Sequence, residues 1–351
     1  ADLLADNYYG RLAELCHRHG MKLFVEHYDR GPMDEMQIGA RADVNMGEFW
    51  QGPSSIFQNN LTMRRTPKLA ASIAHVNGQG IVGAEAFTGE PESARWQEHP
   101  FSMKARGDLI FTRGVNRMVI HRYAHQPHPT AVPGMTMGPW GIHFERTTTW
   151  WEPGRAWLGY LARCQSLLQQ GLFVADLAYF TGEDAGVYTQ VHRDELHPAP
   201  PEGYDYDLVD AEVLLRKARV ERGRLTLPDG MSYRVLVLQQ PRKISLPLMR
   251  KLHTLVREGL VLVGAPPEAT PGLRDHPGGG EEFARLRGEL WGGTGDGRPI
   301  ERAFGKGQVF WGQPLKAALE RLGLPPDVEI SSRSGDAPVT WIHRTIGGAE
   351  V

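Results

Sequence analysis

The hydrophobic positions of this chain alternate between a helical and a strand periodicity. Residues 1–19 carry apolar side chains at helical spacing, and Gly20 ends that pattern. The same alternation of strand and helix continues to Gly171. The predicted strands are 22–27, 42–46, 80–88 and 117–123, and the predicted helices are 1–19, 61–77, 101–114 and 154–170.

Strands that alternate with helices predict a parallel sheet within an α/β fold. Four such units make half of a (β/α)8 barrel, which typically needs ~250 residues in all. We therefore predict that residues 1–172 form the C-terminal half of a (β/α)8 barrel. A dinucleotide-binding domain has the same rhythm. However, no G-x-G-x-x-G follows a predicted strand, so we expect no nucleotide and no organic cofactor.

The pattern changes after residue 172. The apolar segments 174–180, 234–239 and 260–264 predict buried strands of a smaller, open-sheet α/β domain over residues 173–325. Strand patterns near 328–331 and 339–343 predict that residues 326–351 begin a β-sandwich-type domain. Because the chain starts at Ala1 within a helical pattern and stops within a strand pattern, we expect an internal fragment of a longer protein.

Composition narrows the class of protein. Hydrophobic residues make up 41% and charged residues 23%, as in an ordinary globular protein. The 39 basic and 41 acidic residues nearly cancel, so we expect neither nucleic acid nor a membrane as a partner. The two cysteines, Cys16 and Cys164, cannot form a disulfide framework or a cysteine-rich zinc site. Oligomeric state and compartment stay open.

Acidic residues collect where the predicted strands end, which is where (β/α)8 barrels build active sites. Glu26 ends the first strand, Asp43 and Glu48 flank the second, and Glu85 lies within an apolar strand. Desolvation raises the pKa of a carboxyl group and suits it to proton transfer. Paired carboxylates can hydrolyse a glycosidic bond, and carboxylates with backbone oxygens can bind Ca²⁺. Structural ion pairing is the alternative for each of them.

Histidines and tryptophans add to this pattern. His121 and His125 could bind zinc, but on a strand they would lie roughly 13 Å apart. Hydrogen bonding to a polar ligand is therefore the favoured role of these histidines. Trp50 and Trp140 fall in predicted loops after strands, where an indole face can pack on the apolar face of a sugar ring. Packing beneath the long loop 124–150 is the alternative.

Four segments resemble glycoside hydrolase family 106, the α-L-rhamnosidases. The longest is Met-Thr-Met-Gly-Pro-Trp-Gly-Ile-His-Phe-Glu-Arg-Thr-Thr-Thr-Trp-Trp over residues 135–151. The others are Val-Gly-Ala-Glu-Ala-Phe-Thr at 82–88, Gly-Glu-Phe-Trp at 47–50, and Gly-Val-Asn-Arg-Met-Val-Ile-His-Arg-Tyr-Ala-His-Gln-Pro at 114–127. The resemblance runs over essentially the whole chain and is most specific in residues 20–180.

This resemblance implies an inverting mechanism with one glutamate as general acid and another as general base. Glu85 matches the base. The acid of the family lies in an upstream Asp-x-x-Glu motif that this sequence lacks, so we expect the fragment to be inactive by itself. The resemblance also implies calcium near the sugar and a periplasmic or secreted protein. Glu26 and Glu48 are the candidate calcium ligands. The residues expected to line the rhamnose pocket are Glu26, Asp43, Glu48, Trp50, His121, His125 and Trp140.

Three functions follow from these patterns. The first is hydrolysis of terminal α-L-rhamnosyl residues from plant or pectic glycans, with Glu85 as the base. The second is a carbohydrate-binding or scaffold module that lacks catalysis. The third is a zinc metallohydrolase that uses His121, His125 and a carboxylate.

Overall fold

The computed structural model describes residues 1–28, 31–51, 61–89, 95–132, 134–136, 138, 140–184, 188–239, 242–272, 274–292, 299–333 and 339–351, with only the backbone of 61–64. The helices in these ranges are α1 (Asp2–Leu4), a π-helical segment (Ala5–Gly10), α2 (Arg11–Arg18), α3 (Glu35–Arg41), α4 (Leu61–Val76), α5 (Pro100–Phe111), α6 (Arg155–Leu168), α7 (Ala211–Arg216), α8 (Leu246–Glu258), α9 (Gly279–Trp291) and α10 (Leu315–Arg321).

The strands in the same ranges form four sheets. They are β1 (Phe24–Glu26), β2 (Val44–Gln51), β3 (Val82–Gly89), β4 (Arg117–Ile120), β5 (Leu172–Phe173), β6 (Leu177–Phe180), β7 (Tyr206–Val209), β8 (Arg219–Glu221), β9 (Arg224–Thr226), β10 (Ser232–Tyr233), β11 (Val235–Leu238), β12 (Val261–Val263), β13 (Ile300–Phe304), β14 (Gly307–Trp311), β15 (Arg344–Ile346) and β16 (Ala349–Glu350).

The first sheet contains β1 to β4 in chain order, and every neighbouring pair is parallel. This agrees with the strand–helix alternation of the sequence, and the predicted strand at 42–46 is in fact Val44–Gln51. Helix α4 packs against β2 so closely that a Cβ at Gly47 would lie 2.7 Å from the backbone of Pro67. The glycine therefore sets the distance between this helix and this strand.

The second sheet contains six strands in the order β13-β14-β12-β11-β6-β7. All of its pairs are parallel except that between β13 and β14. Numbered by their order in the chain, the parallel strands run 2-1-3-4-5 across the sheet, which is a doubly wound arrangement. The segments Leu177–Phe180 and Val235–Leu238 are buried throughout because helices cover both faces. The strands β8 to β10 form a small antiparallel sheet beside it.

The end of the chain differs from the prediction. Residues 328–331 and 339–343 are not strands, and Ile330 and Val339 are exposed. Their alternating pattern predicted strands, but a strand needs a neighbour to satisfy its backbone groups. The hairpin formed by β15 and β16 instead pairs with β5 at the junction between the two larger sheets.

A buried carboxylate joins the two larger sheets. Asp207 on β7 has no exposed surface and accepts a hydrogen bond of 2.9 Å from Ser72 on α4. His75 Nδ1 lies 3.0 Å from both of its oxygens, and the Tyr233 hydroxyl donates to it at 2.9 Å. Burial raises the pKa of Asp207, but His75, Lys68 and Tyr233 outweigh that effect and hold it below its ordinary value.

We expect Asp207→Asn to destabilise the protein by about 3–5 kcal/mol, because it removes one partner of a buried charged network. Thermal unfolding of the wild type and the variant measures this loss. Asp194→Asn is the matched control, since the Asp194 side chain is 81% exposed and should change the melting temperature little. Equal melting temperatures for both variants would contradict the proposed role of Asp207.

Candidate active site

Three carboxylates lie on one face of the first sheet. In a parallel sheet, residues in register share a face, and residues two apart on one strand share it too. Glu26 is in register with Met46, and Glu48 lies two residues further along β2. Glu48 is in register with Glu85 on β3. Glu26, Glu48 and Glu85 therefore project from the same face near the carboxyl ends of three adjacent strands.

The other face of this sheet packs on helices. Phe49, Ala84 and Ala86 alternate with the acidic residues along β2 and β3, and all three are fully buried. They belong to a cluster that includes Ala70 of α4 and Trp157 of α6. The hydrophobic alternation thus directs the carboxylates away from the helices.

A β-bulge shapes the environment of Glu85. The register between β2 and β3 shifts between Glu48 and Trp50, and Phe87 takes a positive φ of 62°. The Phe87 ring is buried against Phe49 at 4.8 Å between ring centroids, which holds this backbone conformation in place. The shifted chain lets the Thr88 hydroxyl donate a hydrogen bond to the Glu85 carboxylate. Bulges often reorient side chains beside active sites.

Helix α4 holds the backbone of the second carboxylate. The Thr66 hydroxyl accepts a hydrogen bond of 3.0 Å from the Glu48 amide and donates one of 3.1 Å to the Glu48 carbonyl. Arg106 donates to the carbonyl of Trp50 at 2.5 Å. Both ends of this short segment are therefore fixed, and the side chains that it carries have a defined direction.

Burial and neighbouring negative charges raise the pKa values of Glu48, Glu26 and Tyr28. Burial raises the pKa of Glu48 to about 7, with further increases from the charges of Glu85 and Glu26 and an opposing hydrogen bond from Trp50. Partial burial and the charge of Glu85 likewise raise the pKa of Glu26. Burial and the same carboxylates raise the pKa of Tyr28. The cluster therefore retains a proton near neutral pH.

His121 lies on the other side of Glu85. Its Nδ1 is 3.9 Å from a Glu85 carboxylate oxygen, and both side chains are about one quarter exposed, at 22% and 25%. Burial lowers the pKa of His121, Arg122 lowers it further, and Glu85 opposes the decrease. A neutral imidazole at this position can exchange hydrogen bonds with a polar ligand without competing for the charge of Glu85.

Two tryptophans form an aromatic wall. The rings of Trp50 and Trp140 are nearly perpendicular at 81°, with centroids 5.5 Å apart. Trp140 is 40% exposed, so part of its surface is accessible to a ligand. Trp50 lies two residues after Glu48 and projects from the same face of β2.

The structure brings together six of the eight predicted site residues, namely Glu26, Glu48, Glu85, Trp50, His121 and Trp140. Asp43 lies at the amino end of β2, where it accepts a hydrogen bond of 2.7 Å from the Leu23 amide and pairs with His17 at 2.9 Å. His125 is exposed, and within the described ranges it makes no hydrogen bond or ion pair to the acidic cluster. Asp43 therefore lies at the end of β2 opposite to the acidic cluster.

Two residues of this site, Tyr28 and Thr88, were not among those predicted from the sequence. Tyr28 follows Glu26 by two positions, so the strand periodicity extended past the end of β1 could have identified it. Thr88 carried no such signal, because its contact with Glu85 depends on the bulge.

Metal ligands are sparse here. Within the described part of the chain, no three His, Cys, Asp or Glu side chains converge to hold a metal ion. This does not favour a zinc site at His121 and His125. None of the described helices is long and apolar enough to span a membrane.

The site combines clustered carboxylates with raised pKa values, a neutral histidine and an aromatic wall. These groups lie at the carboxyl ends of parallel strands. This combination is typical of enzymes that hydrolyse glycosidic bonds. Comparison with known proteins identifies the family. The family model for alpha-L-rhamnosidase, glycoside hydrolase family 106, matches residues 1–351. This chain belongs to that family.

Two relatives show how similar the chain is to known members. A protein from Formosa agariphila named "Putative beta-glucuronidase" is 40% identical over 291 residues, which cover 83% of this chain and 24% of that protein. A rhamnosidase structure from Novosphingobium sp. PP1Y is 34% identical with a TM-score of 0.89, covering 100% of this chain and 33% of that one. The chain thus spans a quarter to a third of these relatives.

A more distant similarity concerns the fold alone. A beta-galactosidase from the haloarchaeon Halorubrum lacusprofundi matches with a TM-score of 0.53 at 13% identity, over 92% of this chain and 57% of that one.

The raised pKa of Glu48 predicts a pH-dependent loss of stability. Unfolded Glu48 would release its proton near its ordinary pKa of 4.5, whereas the folded protein retains it to about 7. The wild type therefore loses stability as the pH rises through this window. Since Glu48 is partly exposed, solvent screening weakens this effect, and we expect the free energy of unfolding to fall by ~1–2 kcal/mol across the window.

Melting curves of the wild type and Glu48→Gln, recorded from pH 4.5 to above 7, test this expectation. The melting temperature of Glu48→Gln should rise relative to that of the wild type as the pH increases, because the variant has no carboxyl group to ionise at this position. Glu221→Gln, whose parent side chain is 57% exposed, is the control and should show no such trend. A gap between Glu48→Gln and the wild type that stays constant over this range would contradict the raised pKa.

Proposed function

We propose that this chain carries the general base and part of the sugar pocket of an inverting α-L-rhamnosidase. The observation that supports this most directly is the placement of Glu85 between Glu48 and His121, with its carboxylate held by Thr88. The substrates proposed are terminal α-L-rhamnosyl residues of plant or pectic glycans. A module that only binds carbohydrate would not need a proton-retaining carboxylate cluster of this kind.

In the proposed reaction, Glu85 removes a proton from a water molecule, and the water oxygen forms a bond to the anomeric carbon. The bond from that carbon to the leaving oxygen breaks, and a carboxylic acid on the opposite side of the sugar protonates the leaving group. The configuration inverts because attack and departure occur on opposite faces. Inverting pairs stand ~6.5–9.5 Å apart to leave room for the water. The acid is proposed to lie outside this chain.

The remaining site residues are proposed to hold the sugar. Protonated Glu48 can donate a hydrogen bond to a hydroxyl oxygen, while Glu26 and His121 can accept or donate according to their protonation. The perpendicular rings of Trp50 and Trp140 offer an apolar surface to the C–H groups of the sugar. This division leaves Glu85 to act on the water.

We propose that the full protein completes a (β/α)8 barrel around this site. On the acidic face of the first sheet, Phe24 at one edge and Val119 at the other are 60% and 47% exposed. Such apolar residues point into the interior of a closed barrel. Further β/α units beside β1 and β4 would cover them and supply the second carboxylate.

Calcium at Glu26 and Glu48 is also a proposal, and the described residues fit it only in part. They provide two neighbouring carboxylates, whereas Ca²⁺ takes six to eight oxygen ligands. No step of the reaction above depends on it. If the ion binds there, its charge would stabilise the ionised forms of both acids.

We expect Glu85→Gln to lower kcat on p-nitrophenyl α-L-rhamnoside by ~10²–10⁴-fold with little change in KM, because the amide cannot accept the proton of the attacking water. Steady-state kinetics of the full protein that carries this chain measure the effect. Glu14→Gln is the control, since its parent side chain is 64% exposed on α2. Turnover of the Glu85→Gln variant at nearly the wild-type rate would exclude Glu85 as the base.

We expect calcium to raise the melting temperature of EDTA-treated protein, because an ion between Glu26 and Glu48 relieves their repulsion. Thermal unfolding with and without added CaCl₂ measures the shift. The shift should shrink in Glu26→Gln but persist in the Glu14→Gln control. A calcium response that is unchanged in Glu26→Gln would place the ion elsewhere.

A further inference from the structure

The second sheet has a cavity where its topology reverses. Strands β7 and β11 flank β6 on opposite sides within the sheet, because the chain runs from β6 to β7 and then returns to β11 on the other edge of β6. Crevices at such switch points, outside the carboxyl ends of the strands, are the usual ligand sites of doubly wound sheets. A cavity of about 400 Å³ lies here, lined by Phe180–Asp184 at the end of β6 and by Gln239, Arg242 and Lys243 after β11.

The first sheet's domain supplies the opposite wall. Asp34 and Glu35, at the beginning of α3, line the cavity together with residues 188–190. Cavities between two such units are common ligand sites. The volume is ample for one or two sugar rings and too large for isolated water molecules.

The cavity wall is polar and carries more acidic than basic side chains, with Asp34, Glu35, Glu183 and Asp184 against Arg242 and Lys243. Asp34 caps α3 by accepting hydrogen bonds from the amides of Met36 and Gln37, at 2.9 and 3.1 Å. Glu183 accepts from the amide and hydroxyl of Ser245, at 2.5 and 2.7 Å. The excess of acids over Arg242 and Lys243 disfavours a phosphate or a nucleotide, and no described group of three His, Cys, Asp or Glu side chains could hold a metal ion.

Two acceptors in the lining lack partners. Among the described residues, Gln239 Oε1 and Glu35 Oε1 are buried and make no hydrogen bond. Glu35 is 3% exposed, and its other oxygen accepts from Arg65. Buried acceptors without donors are costly, so a ligand rich in hydroxyl groups would stabilise them. Thr181 and Thr189 add further hydroxyl groups to the wall.

An aromatic side chain completes this set of groups. Tyr188 is 40% exposed and lines the cavity, and the Arg65 guanidinium lies 3.6 Å from its ring centroid. Arg65 also donates to the Thr189 carbonyl at 2.9 Å and is itself 1% exposed. The ring is therefore held on a rigid support, which reduces the entropy lost when a ligand binds.

We propose that this cavity binds a neutral carbohydrate unit, at a site separate from the carboxylate cluster. Hydroxyl groups of the sugar would donate to Gln239 and Glu35, and its C–H face would pack on Tyr188. The ligand class follows from the polar, acid-lined wall and the exposed aromatic ring. The choice of a sugar related to the substrate rests on the proposed function.

Hydrogen–deuterium exchange of the full protein that carries this chain tests the proposal. The probes are L-rhamnose, D-galactose and the neutral disaccharide rutinose, each added to the Glu85→Gln variant so that nothing is hydrolysed. We expect at least one sugar to slow exchange in residues 180–184 and 188–190. The concentration dependence of this protection gives the apparent affinity.

Tyr188→Ala and Gln239→Leu, each combined with Glu85→Gln, should weaken the protection by ~5-fold or more, because each removes a contact worth about 1 kcal/mol. If Tyr188→Ala unfolds because it loses the contact with Arg65, the result for Gln239→Leu is sufficient to test the proposal. Tyr8→Ala is the control, since Tyr8 is 59% exposed in the π-helical segment. It should leave the protection unchanged.

Two results would overturn the proposal. The first is that none of the three sugars slows exchange in residues 180–184 and 188–190. The second is that inorganic phosphate or FMN slows exchange there instead, which would show that the cavity binds anions. Failure of the proposed rhamnosidase function is distinguishable, because it would show as no release of p-nitrophenol by the wild type, whatever happens at the cavity.

Discussion

Both parallel sheets depend on the packing of one helix. Helix α4 lies against β2 on one side, with Ala70, Ala71 and Ala74 in the core of the first sheet. On the other side Leu69, Ile73 and Val76 belong to the core of the second sheet. Small residues allow close approach to β2, and the contact at Gly47 permits no larger side chain without movement of the backbone. A shift of α4 would therefore disturb both sheets at once.

Polar side chains on the same helix fix its position along the second sheet. Lys68 pairs with Asp205 at 2.9 Å, while Ser72 and His75 bind Asp207. Buried ion pairs add less to stability than apolar packing of the same volume, but a shift that separates the two charges is strongly destabilising. Because Thr66 of this helix holds the backbone of Glu48, that alignment extends to the carboxylate cluster.

The carboxylate cluster itself opposes folding. Glu26 and Glu48 have raised pKa values because burial and mutual repulsion disfavour their charged forms. Structures keep such groups together where the chemistry requires them, and the surrounding core compensates for the lost stability. Here the fully buried face of β2 and β3 provides that compensation, since it alternates with the acidic face residue by residue.

The sequence predicted those parts of the structure that depend on local periodicity. Glu26, Glu48 and Glu85 could be identified because a polar residue that ends an apolar strand is visible without tertiary information. Asp43 was grouped with them because it falls inside the predicted strand at 42–46. The observed strand β2 begins only at Val44, so Asp43 lies at its amino end, opposite to the acidic cluster. Neither the bulge at Phe87 nor the contact of Thr88 with Glu85 follows from a periodicity.

Buried charges were the least predictable feature. Arg65, Lys68 and His75 look like an ordinary solvated face of a helix, yet all three are buried. Glu35 of α3 pairs with Arg65, whereas Asp205 and Asp207, at the second sheet, pair with Lys68 and His75. Arg65 shows why this matters for function. It contacts Tyr188 and Glu35 at the cavity of the second sheet. Burial lowers the pKa of His27, which lies next to Tyr28, and the charge of Arg65 lowers it further. His27 is thereby kept neutral beside the carboxylate cluster, with a pKa of about 3. One guanidinium thus helps to keep His27 neutral and also holds Tyr188 and Glu35 in the wall of the cavity, so the interface between the sheets bears on both.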